Sequence, residues 1–162
     1  MKVIDNFLDK ESFEKIKNGI VNNSYFPWYF SEYTDYLNEE GLEKSKYVHA
    51  FYHQNKPNSQ HYDLLLPFLE KLKCNSLIRI KINSTSYSTK LIEGTYHTDV
   101  KFKCKTAIYY LNTNDGYTKF EKNNKIIKSV ENRMVIFNSN LKHLGTNTTN
   151  AKRRLVLNFN YF

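Results

Sequence analysis

The side chains best suited to chemistry in this sequence are two histidines and one aspartate. His97 and Asp99 are two residues apart, so on an extended strand both side chains would leave the same face. His143 comes from a separate segment, after the strand-like apolar run 134–137. Two imidazoles and one carboxylate can occupy one face of a metal ion and leave the opposite face open, which is the donor set of non-haem Fe(II) sites. We therefore predict that these three residues bind a metal ion together.

Two further histidines are weaker candidates as ligands. His49 and His53 lie on a predicted strand, 46–53, whose side chains alternate between two faces. Neither has a carboxylate partner at metal-binding spacing. We expect both to be hydrogen-bonded or exposed.

A cation opens the last apolar run of the chain. Arg154 begins a predicted strand on which Val156 and Asn158 share its face. A guanidinium that faces into a barrel should meet an acid, and a carboxylate is its natural bidentate partner. The nearby sequence holds no acid, which leaves room for a dicarboxylate ligand; Tyr110, on a strand between the two metal-ligand segments, could share it. A slip of one residue would exchange the faces of Arg153 and Arg154, and we favour Arg154.

The composition predicts one packed domain. Of the 162 residues, 40% are hydrophobic and 15% aromatic, which is enough to build a core at this length. Cys74 and Cys104 provide no disulfide framework and fit a reducing compartment. The apolar runs are far too short to cross a bilayer, and the N-terminus lacks a signal-peptide pattern. We therefore expect a cytoplasmic protein without a membrane partner.

The formal net charge of +8 raises the question of a nucleic-acid partner. The lysines are scattered, and Asn, Ile, Tyr and Phe are also abundant, a combination that AT-rich coding produces. The one dense basic cluster is 152–154. We interpret most of the charge as belonging to solvated faces and do not expect nucleic acid as a partner.

The first half of the chain predicts helices and loops. One helix is expected over 9–22 with Asp9 as its N-cap, and a second over about 60–72 with a kink at Pro67. The aromatic run 25–30 is interpreted as a wedge in the core, with the alternative that one or two of its rings wall a substrate pocket. The polar stretch 31–45 suggests a loop or lid.

The second half changes to the period of two that is typical of strands. Seven or eight short strands are expected, among them 95–100, with a polar loop over 84–94. Helices followed by such strands predict an α+β fold whose β part is a jelly-roll-like double sheet, with N-terminal flanking helices. The single domain would consist of a helical flank with the first strands, 1–75, and the core double sheet, 76–162.

The segment from about Leu77 to Phe162 resembles the double-stranded β-helix of the Fe(II)/2-oxoglutarate dioxygenases, in particular their prolyl-hydroxylase-like branch. The matching stretches are His97-Thr98-Asp99, Ala107-Ile108-Tyr109-Tyr110-Leu111-Asn112, His143 and the strand that Arg154 opens. The short, Asn- and Lys-rich form, with Gly145-Thr146-Asn147-Thr148 after the second histidine, is most similar to small oxygenases carried by marine bacteriophages. A phage origin would place the protein in the cytoplasm of a host cell.

The resemblance implies a role for each matching residue. Fe(II) would be held by His97, Asp99 and His143, and O2 would take a remaining position on the iron. The distal carboxylate of 2-oxoglutarate would pair with Arg154 and accept a hydrogen bond from Tyr110. The further cosubstrate contacts that it implies are Asn158 and Asn83, with Tyr87 as the alternative to Asn83.

The implied reaction is hydroxylation of an aliphatic C–H bond in a protein side chain or an amino acid, proline being the first candidate, with release of succinate and CO2. The carboxylate of Asp99 implies hydroxylation rather than halogenation. Asn160 departs from the resembling hydroxylases, which often carry an aromatic ring there. The alternatives are a non-catalytic β-helix binding module and, less favoured, an oxidative demethylase of nucleic acid, whose branch carries a second arginine at the position of Asn160.

Overall fold

The computed structural model describes residues 1–33 and 44–162 of the chain. Most of the predicted lid, 31–45, therefore lies outside the described residues. The strands are β1 Lys2–Ile4, β2 Tyr29–Ser31, β3 Lys46–His53, β4 Lys56–Pro57, β5 Leu77–Ser86, β6 Lys105–Tyr110, β7 Tyr117–Phe120, β8 Ile126–Lys128, β9 Arg133–Asn138, β10 His143–Gly145 and β11 Arg153–Tyr161. The helices are α1 Lys10–Ile20 and α2 Leu66–Leu72, with short 3-10 helices at Tyr62–Leu65 and Glu121–Asn123.

The strands form two antiparallel sheets. The major sheet has the order β1-β9-β6-β11-β5-β3-β2, with β4 paired to β3. The minor sheet has the order β10-β7-β8. Two such sheets with helices on one side form the jelly-roll-like double-stranded β-helix that the sequence predicts. Strands β1, β2 and β3 of the N-terminal flank belong to the major sheet and extend it.

Strand β11 lies in the middle of the major sheet, between β5 and β6, and separates two cores. Leu157 and Phe159 pack with Phe68 of α2 in the larger core, on the helical side. Val156 belongs instead to the smaller core and packs with Phe120 of the minor sheet. Because successive side chains of a strand point to opposite faces, every second residue of β11 is directed into the space between the sheets.

The two helices differ in how well they were predicted. Helix α1 has the predicted N-cap, since the Asp9 carboxylate accepts a hydrogen bond from the backbone N–H of Ser12 at 2.9 Å. The predicted kink in the second helix is wrong, because Pro67 lies in the first turn of α2 and a 3-10 helix precedes it. Proline fits a first helical turn because the N–H that it lacks has no intrahelical partner there. Neither helix of the described chain is long and apolar enough to span a membrane.

Two strand predictions need correction. The segment 95–100 is not a strand, and its described residues form one isolated bridge, between His97 and His143. Strand β5 continues to Ser86, three residues into the predicted loop 84–94, because β11 pairs with it as far as that residue.

The aromatic run 25–30 is only partly a wedge in the core. Phe26 is buried and packs beside Trp28. Tyr25, Tyr29 and Phe30 are instead 92%, 62% and 60% exposed. The last two belong to β2, which has no neighbour on its outer side among the described strands.

Asn132 ties the N-terminal segment to the turn before β9. Its φ of 59° lies in the left-handed region, which asparagine tolerates better than most residues. Its side-chain oxygen accepts hydrogen bonds from the Leu8 N–H at 2.9 Å and the Tyr109 hydroxyl at 3.0 Å. Its amide nitrogen donates to the Leu8 carbonyl at 2.9 Å. All of these groups are buried.

We expect Asn132→Ala to lower the free energy of unfolding by about 3 kcal/mol, because buried polar groups lose their partners and alanine disfavours the left-handed backbone. Asn124→Ala is the matched control, since Asn124 has a φ of 51° but is exposed. That variant should lose only about 1 kcal/mol. Urea unfolding measures both values, and equal losses would contradict the assigned role of the Asn132 side chain.

His49 is hydrogen-bonded, one of the two states that the sequence predicts, and it is buried. Its Nδ1–H donates to the Pro27 carbonyl at 2.8 Å, and its Nε2 accepts from the Ser59 hydroxyl at 2.8 Å. Burial lowers its pKa from the ordinary value of 6.5; the nearby His61 acts in the same direction, and the bond to Pro27 opposes them. The imidazole is therefore neutral in the folded protein near neutral pH.

Because the pKa of His49 is lower in the folded chain than in the unfolded chain, the unfolded chain takes up its proton first as the pH falls. The free energy of unfolding should therefore decrease as the pH falls through about 6.5. His49→Gln should reduce this dependence, whereas the exposed His53→Gln should leave it unchanged. Unfolding measured between about pH 5 and about pH 8 tests this; identical pH profiles in all three proteins would contradict it.

Candidate active site

Two backbone hydrogen bonds join the metal-ligand segments that the sequence separates. The N–H of His97 donates to the carbonyl of His143 at 3.0 Å, and the N–H of His143 donates to the carbonyl of His97 at 3.0 Å. This pair places the two imidazole centroids 4.9 Å apart. The sequence predicts that a strand directs His97 and Asp99 to one face. In the structure, a loop carries them, and one antiparallel bridge joins this loop to His143, the first residue of β10.

Both imidazoles are oriented by backbone carbonyls. The Nδ1–H of His97 donates to the Thr95 carbonyl at 2.9 Å, and the Nδ1–H of His143 donates to the Leu141 carbonyl at 3.1 Å. A carbonyl can only accept, so these contacts put the proton on Nδ1 and leave Nε2 as the basic atom. The ring of Phe137 packs against His143 with centroids 5.0 Å apart and limits its rotation.

Asp99 completes the cluster with one carboxylate oxygen. Its side chain is 2% exposed, and its Oδ2 lies 3.8 Å from Nε2 of His143. Oδ1 accepts a hydrogen bond from Arg79, whereas Oδ2 is buried without a hydrogen-bond partner among the described residues. Burial opposes ionisation, but His143, Lys81 and Arg79 outweigh it and lower the pKa of Asp99. The carboxylate is therefore charged, and its Oδ2 has no hydrogen-bond partner among the described residues.

The donor set suits a divalent metal ion. One ligand atom from each of His97, Asp99 and His143 lies within 4.8 Å of the others. A buried, charged oxygen without a partner is costly to a folded protein unless something else satisfies it, and a cation beside two basic imidazole nitrogens would do so. Among the described residues this is the single group of three or more such side chains.

A cavity of about 280 Å³ lies between the two sheets beside this cluster. His97 and His143 line one part of it, and Arg154 lines another. Its wall is mixed: Ile92, Ile108 and Val156 are apolar, and polar side chains come from β3, β5, β7 and the segments before β3, after β5 and after β10. The size is at the lower end for a small-molecule site.

Arg154 is held firmly inside this cavity wall. Its Nε donates to the Ser129 hydroxyl at 2.8 Å, its Nη1 to the Thr146 carbonyl at 3.3 Å and its Nη2 to the Thr118 hydroxyl at 3.2 Å. The residue is only 5% exposed, so the cation is largely removed from water. Its neighbour Arg153 faces the other way, 5.4 Å from the Trp28 ring. The register of β11 thus points Arg154, and not Arg153, at the cavity.

Glycine makes room for this arginine. A Cβ added to Gly116 would lie 2.6 Å from Cδ of Arg154 and 2.4 Å from the carbonyl oxygen of Asn147. A side chain at this position would therefore displace the arginine or the backbone beside it.

Tyr110 lies behind the cavity wall rather than in it. Its hydroxyl donates to the Thr118 hydroxyl at 2.8 Å, and its ring lies 5.5 Å from the Arg154 guanidinium. Tyr110 is fully buried and Thr118 lines the cavity in front of it. An oxygen that accepts from both Tyr110 and Arg154 still carries its own hydrogen, so the Thr118 hydroxyl can donate into the cavity. Thr118, which no sequence pattern singled out, therefore stands between the Tyr110 hydroxyl and the cavity, and the cosubstrate contact predicted for the tyrosine stays a prediction.

The remaining predicted cosubstrate residues also lie at the cavity. Asn83 and Asn158 line it, and the side-chain oxygen of each is buried without a hydrogen-bond partner among the described residues. Tyr87, the alternative to Asn83, lines its rim and is 53% exposed. Two unsatisfied amide oxygens in one wall indicate an occupant, or water, that donates hydrogen bonds.

We expect the purified chain to bind one equivalent of Mn(II), used as a redox-stable substitute for Fe(II), and to lose that binding when a ligand is removed. Asp99→Ala and His143→Ala should each weaken binding by more than about 100-fold, because losing a ligand costs more than the 10–100-fold effect of losing its hydrogen-bond partner. The exposed His53→Gln should bind as the parent does. Calorimetric titration gives these affinities, and unchanged binding in Asp99→Ala would contradict the assignment.

No family model and no curated protein matches this sequence. Solved structures match it over nearly its full length. The prolyl hydroxylase of Trichoplax adhaerens, in complex with a hypoxia-inducible-factor peptide, has a TM-score of 0.70 at 14% identity, covering 99% of this chain and 82% of that one. A 2OG-Fe(II) oxygenase family member from Burkholderia pseudomallei has a TM-score of 0.71 at 12% identity, covering 98% and 83%.

A prolyl-4-hydroxylase of Pseudomonas putida has a TM-score of 0.63 at 14% identity, covering 99% of this chain and 91% of that one. At these identities the similarity establishes the fold. This chain has the double-stranded β-helix fold of the 2-oxoglutarate- and Fe(II)-dependent oxygenases and their prolyl hydroxylases.

Proposed function

We propose that this protein is a 2-oxoglutarate- and Fe(II)-dependent dioxygenase that hydroxylates an aliphatic C–H bond of a protein side chain or an amino acid. The observation that carries the proposal is the convergence of His97, Asp99 and His143 beside a cavity in which Arg154 is buried. A metal site and an anion site on one cavity match the needs of a cosubstrate that has a chelating keto-acid end and a distal carboxylate. The fold supports the same reading.

The residues present fit both groups. Fe(II) would be held by Nε2 of His97, Nε2 of His143 and Oδ2 of Asp99, because Nδ1 of each imidazole faces a backbone carbonyl and Oδ2 has no hydrogen-bond partner among the described residues. The distal carboxylate of 2-oxoglutarate would be held by Arg154 with the Thr118 hydroxyl. Once bound, iron and cosubstrate supply the oxidation, in which one atom of O2 enters the substrate and the other enters succinate as CO2 leaves.

The contribution of the chain is positioning. Arg154 is fixed by three hydrogen bonds before any ligand arrives, so little freedom is lost when an anion binds. Its charge acts in a largely dehydrated wall, where the attraction for a carboxylate is stronger than in water. Ile108 and Val156 line the same cavity and keep part of it free of water.

Proline in a peptide is the first candidate substrate. Two of the similar structures are prolyl hydroxylases, one of them in complex with a peptide. Asn160 gives the site a local difference from the resembling hydroxylases, because an amide hydrogen-bonded to Arg79 and Thr106 replaces an aromatic ring. A free amino acid is therefore kept as the second candidate.

Turnover tests the proposal directly. The chain would be incubated with Fe(II), 2-oxoglutarate and O2, with and without proline-containing peptides and free amino acids. Succinate release together with the gain of one oxygen atom by the substrate, both absent in Asp99→Ala, is the expected result. No succinate at saturating metal and cosubstrate would overturn the enzyme and favour a non-catalytic binding module, and formaldehyde release from a methylated oligonucleotide would overturn the hydroxylase in favour of a demethylase.

The two neighbouring arginines provide a matched test of the cosubstrate site. We expect Arg154→Lys to weaken 2-oxoglutarate binding to the metal-loaded chain by about 10-fold or more, since a lysine cannot reproduce the charged, forked hydrogen bonds of the guanidinium. Arg153→Lys should change it by less than about 2-fold, because that side chain faces away from the cavity. Calorimetry on both variants gives the comparison; a larger loss in Arg153→Lys would show that the assigned register is wrong.

A further inference from the structure

The carboxylate of Asp99, a candidate metal ligand, accepts a hydrogen bond from Arg79, an arginine that has no part in the proposed function. Nη2 of Arg79 donates to Oδ1 of Asp99 at 3.1 Å and also lies 3.3 Å from the Asp99 carbonyl oxygen. The Asp99 side chain is 2% exposed and that of Arg79 is 25% exposed, so the ion pair is mostly shielded from solvent. Arg79 does not line the cavity in the described structure and is therefore not a cosubstrate residue.

Arg79 is itself held in place by the terminal strand. Its Nη2 also donates to Oδ1 of Asn160 at 3.1 Å, and Nδ2 of Asn160 donates to the Thr106 hydroxyl at 3.0 Å. Asn160 is directly paired with Arg79 across β11 and β5, and with Thr106 across β11 and β6. Three adjacent strands thus build a buried chain of hydrogen bonds that ends on Asp99.

The contact distinguishes the two oxygens of the carboxylate. Oδ1 is occupied by the guanidinium, whereas Oδ2 has no hydrogen-bond partner among the described residues and lies toward His143. A carboxylate can bind a metal through one oxygen or through both. Because Oδ1 is bound by a cation, metal binding through Oδ2 alone is favoured. The coordination position that Oδ1 would occupy then stays available for another ligand.

We propose that Arg79 is a positioning residue that presents Oδ2 of Asp99 to the metal and keeps Oδ1 away from it, with Asn160 and Thr106 holding the guanidinium in place. The inference rests on the proposed function, because it assumes that this cluster binds a metal. It assigns a role to Asn160, the position at which the chain departs from the resembling hydroxylases. The amide supports a guanidinium supplied by β5 instead of contributing a ring to the site.

Metal binding without turnover tests the role. Arg79→Met should weaken Mn(II) binding by about 10–100-fold, the usual effect of losing the partner of a ligand. Arg79→Lys should recover part of that loss, because an ammonium can still donate to Oδ1, and Asn160→Ala should cause a smaller loss in the same direction. Arg133→Met is the matched control, since it removes a partly buried arginine that pairs with Asp5, away from the site.

A spectroscopic measurement separates positioning from general support of the fold. In the Co(II)-loaded protein, Arg79→Met should change the visible ligand-field bands, because Oδ1 becomes free to coordinate. The affinity of the metal-saturated variant for 2-oxoglutarate should stay within about 3-fold of the parent, since Arg79 is not part of the cavity wall. Arg79→Lys and Asn160→Ala carry the test if Arg79→Met does not fold.

The outcomes are distinguishable. If the parent and every variant fail to bind Mn(II), the proposed function is overturned and this inference with it. If the parent binds and His143→Ala does not, but the Arg79 variants bind as the parent does with an unchanged Co(II) spectrum, only the role of Arg79 is overturned. If 2-oxoglutarate affinity falls as far as metal affinity in Arg79→Lys, the arginine supports the site as a whole and the specific positioning role is overturned.

Discussion

The pair of backbone hydrogen bonds between His97 and His143 is the constraint on which the candidate site depends. It joins a loop to the start of the minor sheet and so brings together residues 46 positions apart in the chain. The side chains then need only local contacts to be aligned, because each Nδ1–H is taken by a nearby carbonyl. The relative position of the candidate ligands thus depends on main-chain pairing as well as on side-chain contacts.

Strand β11 extends this arrangement across the cavity. Its alternation sends Leu157 and Phe159 into the core under the helices and sends Arg154, Asn158 and Asn160 toward the other sheet. Apolar burial on one face therefore stabilises the register that keeps polar groups on the opposite face. Asn160, for example, donates a hydrogen bond to Thr106 on the neighbouring strand. The side-chain oxygen of Asn158 instead faces the cavity and has no hydrogen-bond partner in the described structure.

The sequence predicted the main elements because their patterns are local. The capped helix α1, the alternation of β11 and the histidine–aspartate pair are each readable within a few residues. The prediction of a strand over 95–100 also depended on a local pattern, and it is wrong because a spacing of two is compatible with a strand but does not require one. The sequence did not single out Arg79 and Thr118, because their hydrogen-bond partners are distant in the chain, Asp99 for one and Arg154 for the other.

By itself, the sequence determined the fold class, the metal-ligand candidates and the presence of a cation on the terminal strand, since residue type and periodicity are properties of the chain alone. Only the tertiary structure decided that Arg154 rather than Arg153 faces the cavity, that the Tyr110 hydroxyl donates to Thr118 behind the cavity wall, and that one oxygen of Asp99 accepts from Arg79 while the other has no partner among the described residues. These outcomes depend on which strands become neighbours and in what register. Strand pairing joins residues that are distant in the chain, so a pattern within one segment does not identify its partner strand.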